Sequence, residues 1–311
     1  MNEPGHPNIL TQKAASGIEL AGIFEVGMGW WGKVIGGAFG YLLGGPLGAL
    51  LGGVLGHSLD KGMARPQLPE PEEHAGWEPG DQERVQTAFF TATFAVMGRV
   101  AKADGRVTPD EIRLAERIMA DMQLSSEQRK AAIGLFNQGR DELLDLTSIM
   151  DQLKGECGRR ANLIQFFLEI QISTALVDGE LHPGEQGLLM ELSAHLGYSR
   201  WDFDRLLAMV LAQKRFFSHF QQRQSGRDQR TAQGRESNTG TLKEAYEVLG
   251  VTKMHSDAEV KKAYRRLISQ HHPDKLVSKG LPEEMMKLAT EKTRQIKAAY
   301  EQIMAARTAS H

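Results

Sequence analysis

The chain has 311 residues, with 37 Lys and Arg against 39 Asp and Glu and a formal net charge of -2. That length predicts two or three structural units, and the near-neutral balance gives no global field to attract nucleic acid, so no nucleic-acid partner is expected. The single cysteine, Cys157, excludes an intramolecular disulfide and a cysteine-rich zinc module, and it fits a reducing compartment.

Residues 1–33 form an N-terminal extension and membrane flank. Residues 1–27 show no clear pattern and read either as a disordered extension or as the product of an upstream start codon. The run from Met28 through Trp30, Trp31 and Lys33 looks like a natural start ahead of an anchor. Residues 34–56 carry no charge over 23 positions, enough to cross a hydrocarbon core of roughly 30 Å. A single transmembrane helix is therefore expected here, with Trp30 and Trp31 at the lipid interface. Gly36, Gly40, Gly44, Gly48 and Gly52 follow one another at four-residue spacing. Small residues at that spacing let two backbones approach in lipid, and the stripe winds right-handed because its period exceeds 3.6. A homodimer through this glycine face is the expectation, and Pro46 confines the contact to one half if it bends the helix. Other readings of the segment are a soluble Gly-rich stretch, a cleaved signal peptide and a transmembrane helix that does not self-associate. Lys61 and Arg65 follow the span closely, whereas Lys33 is the only nearby basic residue before it. That bias puts the C-terminal side in the cytoplasm.

Residues 57–80 read as a linker, Pro- and Glu-rich from Pro66 onward. Residues 81–220 show helical periodicity throughout. Val85, Ala88, Phe89, Ala92 and Val96 form one apolar face, and Leu163, Phe166, Phe167, Ile170 and Ala175 form another. An all-α unit with its own core is expected. Within it, residues 101–111 echo residues 175–185 in the frame Asp-Gly-x-aliphatic-x-Pro-x-Glu. One reading is helix punctuation. Gly105 or Gly179 ends a helix, Thr108 or His182 caps the next, Pro109 or Pro183 starts it, and Glu111 or Glu185 completes a capping box. The other reading is a calcium or magnesium site built from Asp104, Glu111, Asp178 and Glu185, although neither copy has the spacing of a calcium-binding loop. Capping is the preferred reading, so no metal and no cofactor are expected. Phe166 to Ile172, with Val177 to Pro183, resembles the TerB-like helical domain.

Residues 221–240 are rich in Gln, Arg, Ser and Gly and read as a flexible linker. Arg223, Arg227, Arg230 and Arg235 are dispersed without intervening aromatics. They read as solvated rather than as a lipid or RNA contact.

Residues 241–311 contain 13 Lys and Arg against 9 Asp and Glu, an excess that suits an acidic partner surface. A short helix over residues 242–249 stops at Gly250. The stretch 257–269 places Val260, Ala263, Tyr264, Leu267 and Ile268 on an apolar face. Lys261, Lys262, Arg265 and Arg266 lie around the rest, and Ser256 with Glu259 forms a capping box. His272, Pro273 and Asp274 follow, and Pro273 helps end the helix. A second long helix is expected from about residue 283 to 306, antiparallel to the first.

Four pieces of this region closely resemble a J-domain, the module by which DnaJ-type cochaperones engage DnaK-type ATPases. They are Tyr246 to Gly250, Lys261 to Leu267, His272 to Lys275, and Gln295 to Glu301. All four occur in order and at family spacing. The resemblance implies a three-helix J-domain. In it, Lys261, Lys262, Tyr264, Arg265 and Arg266 dock the chaperone, and His272, Pro273 and Asp274 promote its ATP-hydrolysing, substrate-closing state. The succession of anchor, TerB-like domain and J-domain, from about Met28 onward, resembles the membrane-anchored J-domain cochaperones of Gram-negative bacteria. It implies a single-pass protein of the inner (cytoplasmic) membrane, with its N-terminus periplasmic and its two domains cytoplasmic. The expected partners are a DnaK-type chaperone, the lipid bilayer and a second copy of the chain.

Two other classes of function compete. An enzyme using His272 and Asp274 as an acid–base pair lacks a neighbouring nucleophile, so no enzymatic activity is expected. A membrane stress-sensing scaffold would act through the TerB-like domain, with the J-domain only reporting.

Overall fold

A computed structural model describes residues 45–60, 80–103, 124–177, 179–225 and 234–309, together with scattered positions between 113 and 122. Among the described residues every regular element is helical. In chain order they are α1 (Pro46–Asp60), α2 (Asp81–Ala101), α3 (Ser126–Gly139), α4 (Leu146–Cys157), α5 (Ala161–Ala175), α6 (Pro183–His195), α7 (Arg200–Ser225), α8 (Gly234–Leu249), α9 (Asp257–His271), α10 (Pro273–Val277), a 3-10 turn (Glu283–Met285) and α11 (Met286–Thr308).

Helix α2 is the axis of the middle domain. Residues 85–98 are buried on every side, as expected of a helix enclosed by others. Phe89 stacks on Phe166 of α5 with centroids 6.5 Å apart and meets Phe167 edge-on at 6.1 Å. Buried threonines on such a helix need partners. Thr87 Oγ1 donates to the Glu83 carbonyl at 2.8 Å and Thr93 Oγ1 to the Phe89 carbonyl at 2.7 Å. Helices α2 and α3 cross closely through a reciprocal glycine contact. A Cβ on Gly98 would stand 2.0 Å from the Phe136 carbonyl oxygen, and one on Gly139 would stand 1.9 Å from that of Ala95. Arg99 then caps the end of α3, donating to the carbonyls of Gly139 at 3.0 Å and Leu144 at 3.1 Å. Cys157 lies in this core, where burial pushes its thiol up to about 12.

Helix α1 covers the C-terminal part of the apolar segment. Its described portion starts at Pro46 and runs to Asp60, beyond the expected end of the span at residue 56. Leu47, Leu50, Leu51 and Val54 are buried against α2, α3 and α4, and Val54 seats over Gly134. The Leu47 amide donates to Gln152 Oε1 of α4 at 2.8 Å. No helix among the described residues is long and apolar enough to cross a membrane. An apolar stripe gains from any apolar surface that covers it, and the middle domain covers the stripe on α1. Gly48 is buried and Gly52 half-buried in this packed helix, while Gly36, Gly40 and Gly44 lie outside the described residues.

Helix α7 is 26 residues long, about 40 Å at 1.5 Å per residue. Its first half gives Phe203, Leu206 and Val210 to the middle-domain core. Farther along, Ala212 and Phe216 join a second core with Tyr246, Leu249, Val260, Ile296 and Ile303. The stretch read as a linker over 221–240 is accordingly shorter than expected. Helix reaches Ser225 and resumes at Gly234, and residues 226–233 lie outside the described residues.

In the C-terminal domain α9 and α11 run antiparallel. Arg307, at the end of α11, donates to Asp257 at 2.5 Å and to the His255 carbonyl at 2.8 Å, both at the start of α9. The same guanidinium donates to the Tyr246 hydroxyl of α8 at 3.0 Å, so one side chain ties three helices. Midway along the pair, Tyr264 stacks on Tyr300 with centroids 4.2 Å apart.

Candidate functional site

Helix α9 starts as its sequence predicts. Ser256 Oγ accepts from the Glu259 amide, and the Glu259 carboxylate accepts from the Ser256 amide at 2.7 Å. These hydrogen bonds from Ser256 hold the Glu259 carboxyl below the usual carboxylate range. The helix buries Val260, Ala263 and Leu267 and leaves Lys261, Lys262, Arg265 and Arg266 exposed. Tyr264, half-buried by its stack on Tyr300, lies between them.

His272 ends α9 and caps α10. Its backbone is extended (φ -60, ψ 124), and Nδ1 accepts from the Asp274 amide at 3.3 Å. Pro273 takes the first helical position, where a missing N–H costs nothing. The His272 imidazole is 42% exposed and the Asp274 carboxylate 83% exposed, with Nδ1 to Oδ2 at 3.9 Å. That separation exceeds hydrogen-bond range, so the pair is not an aligned acid–base couple. Lys275 reaches back to Ser269 Oγ at 2.7 Å and fixes the short helix against the end of α9.

Of the four metal candidates, Glu185 alone lies within the described residues. Glu185 is buried and accepts from the His182 amide at 3.0 Å, which is the capping role. Gly179 has φ +106, the left-handed conformation expected at the preceding helix end. Asp104, Glu111 and Asp178 lie outside the described residues. Among the described residues no group of three or more His, Cys, Asp or Glu is arranged to hold a metal.

Behind the tripeptide lies a site that sequence reasoning missed. His271, the last residue of α9, is 2% exposed, and Glu169 of α5 is wholly buried. His271 Nε2 contacts Glu169 Oε1 at 2.8 Å, while Nδ1 faces the Leu267 carbonyl at 2.9 Å. A carbonyl and a carboxylate both only accept, so both ring nitrogens donate and the imidazole is cationic. Lys292 of α11 stands 3.4 Å from Glu169 Oε2 and donates to Gln213 Oε1 of α7 at 2.7 Å. Burial would raise the Glu169 carboxyl, but the charges of His271 and Lys292 outweigh it and hold the group down to about 2. Burial would also lower the His271 pKa, and the Glu169 carboxylate reverses that and holds it above 6.5. The available signal was a single acidic residue inside the apolar run Phe166 to Ile172 of α5. Nothing local indicated its partner, 102 residues away.

Three family models match the chain. Residues 28–66 match the co-chaperone DjlA transmembrane domain, residues 90–208 the tellurite resistance protein TerB, and residues 244–309 the DnaJ domain. The co-chaperone protein DjlA of Vibrio cholerae is 45% identical over 277 residues, covering 88% of this chain and 96% of its own. The DjlA of Photorhabdus laumondii is 42% identical over 279 residues, covering 89% and 92%. That of Photobacterium profundum is 42% identical over 273 residues, covering 88% and 97%. The chain belongs to the DjlA family of co-chaperones. It is thus a J-domain cochaperone, and residues 28–66 supply the membrane anchor of the DjlA family. No solved structure matches the chain.

Proposed function

We propose that this cochaperone stimulates ATP hydrolysis and substrate capture by a cytoplasmic DnaK-type chaperone. The observation that carries the reading is the exposure of the tripeptide beside an open basic surface. His272 and Asp274 reach solvent, and Lys261, Lys262, Arg265 and Arg266 surround the neighbouring turns of α9. The basic surface attracts an acidic partner and steers encounter. His272, Pro273 and Asp274 then contact the bound chaperone and stabilise its hydrolysing conformation, a shift in a partner's equilibrium. In this reading the chain breaks no bond itself, and the His272–Asp274 separation of 3.9 Å supports that over an acid–base pair.

The charge asymmetry around residues 34–56 supports a periplasmic N-terminus and a cytoplasmic body at the bacterial inner membrane. The four-residue glycine spacing supports pairing of two chains in the bilayer, and anchoring concentrates the J-domains at the cytoplasmic face. The test is ATP turnover by a DnaK-type chaperone with and without the full-length protein in liposomes. A rate unchanged by the protein contradicts the reading.

A further inference from the structure

The middle domain grips the chain on both sides of the exposed tripeptide. On the upstream side, His271 is held by Glu169 at 2.8 Å. The Gln270 carbonyl accepts from Asn162 Nδ2 of α5 at 3.3 Å, and the His271 carbonyl accepts from Thr293 Oγ1 of α11 at 3.0 Å. The final carbonyls of a helix lack intrahelical partners, and α5 and α11 provide them here. A cationic His271 also suits the negative end of the α9 dipole. On the downstream side, Leu276, Leu281 and Met285 are buried in the middle-domain core. Gly280, at φ +98, passes so close to α2 that a Cβ would stand 2.5 Å from Val85 Cγ1. Only the front remains open, where His272, Asp274 and the α9 basic surface face solvent.

A buried ion pair is a poor way to gain stability, because apolar residues of the same shape often serve better. Its strength is directional, since it fixes one geometry and penalises others. We propose that Glu169 is a positioning residue for the His272–Pro273–Asp274 loop, so that the middle domain completes the chaperone-stimulating site rather than merely carrying it. This rests on the cochaperone reading above. It commits the protein to a docked J-domain as the working state, not one that swings on a tether. Glu169 of α5 faces His271, and Glu169 in turn meets Gln165 on α5 and Lys292 on α11, with Tyr198 nearby.

The test uses full-length protein in liposomes and a DnaK-type ATPase. Glu169→Gln keeps the size and a hydrogen-bonding group but removes the charge. Its maximal stimulated rate should fall on the order of tenfold, as misplacement of a functional group does. The cochaperone concentration for half-maximal effect should hold, because the basic surface is untouched. Equal loss in both quantities, or in neither, overturns the proposal. A second arm covers a variant that fails to fold. Asn162→Cys with Gln270→Cys, bridged by a short bis-maleimide, locks the domains together. Stimulation by the bridged protein at or above that of the unbridged one supports the proposal. Its loss, or failure of the bridge to form, overturns it. His272→Gln separates the two readings. If it abolishes stimulation while Glu169→Gln behaves as wild type, only the positioning role falls. If it stimulates fully, the cochaperone mechanism falls and the positioning role with it.

Discussion

At the residue scale, two adjacent histidines have opposite fates. His272 is half-exposed and His271 buried, although the local sequence treats them alike. The Glu169–His271 pair should leave a pH signature in stability. A carboxyl held below its ordinary 4.5 stabilises the fold above that pH, and the contribution fades as pH falls toward about 2. A histidine held above 6.5 contributes fully below that pH and fades as pH rises through its raised value. The melting-temperature gap between wild type and Glu169→Gln should therefore be widest between pH 4.5 and 6.5 and narrow on both sides. Thermal melts across pH check this, and a pH-independent gap contradicts the pairing. Glu169→Ala, which strands a buried cation, should destabilise by about 3 kcal/mol or more. The exposed tripeptide was legible in the sequence because its neighbours lie within one helix turn. The buried pair was not, because a charge inside an apolar stripe announces a partner without saying where it lies.

At the element scale, the helix pair α9–α11 and its capping box follow directly from periodicity and Ser256. The end of α7 and the start of α8 do not, because polar residues at 221–225 and 234–240 carry no apolar stripe to reveal a helix. Periodicity also misses the glycine contact between α2 and α3. Gly98→Ala should destabilise the middle domain by roughly 2 kcal/mol through overpacking against the Phe136 backbone, read by denaturant unfolding. An unchanged midpoint would mean that the helices separate freely. On α9, replacing Lys262 and Arg265 with Glu should slow association with the chaperone and remove most of its salt dependence, since exposed charges act through screened attraction. Stopped-flow binding at two salt concentrations decides it. Wild-type binding at low salt would make the basic surface a solvated one.

At the scale of the whole molecule, an apolar segment near the N-terminus can be covered by lipid or by protein, because apolar burial is non-directional. Composition identifies such a segment as apolar but not which surface covers each half. Its C-terminal part lies on α2, α3 and α4, and the DjlA transmembrane match spans residues 28–66. Replacing Gly40 and Gly44 together with Leu should preserve membrane insertion and reduce dimer crosslinking in native membranes, because close backbone packing is lost. Equal dimer yield would leave the glycines without a pairing role. The central claim concerns the tripeptide, and ATP turnover tests it most directly. Full-length wild type and His272→Gln, at matched amounts in liposomes, are each mixed with a DnaK-type chaperone. The account predicts stimulation by wild type and none by a folded, membrane-inserted His272→Gln. Equal stimulation by the two proteins would contradict it.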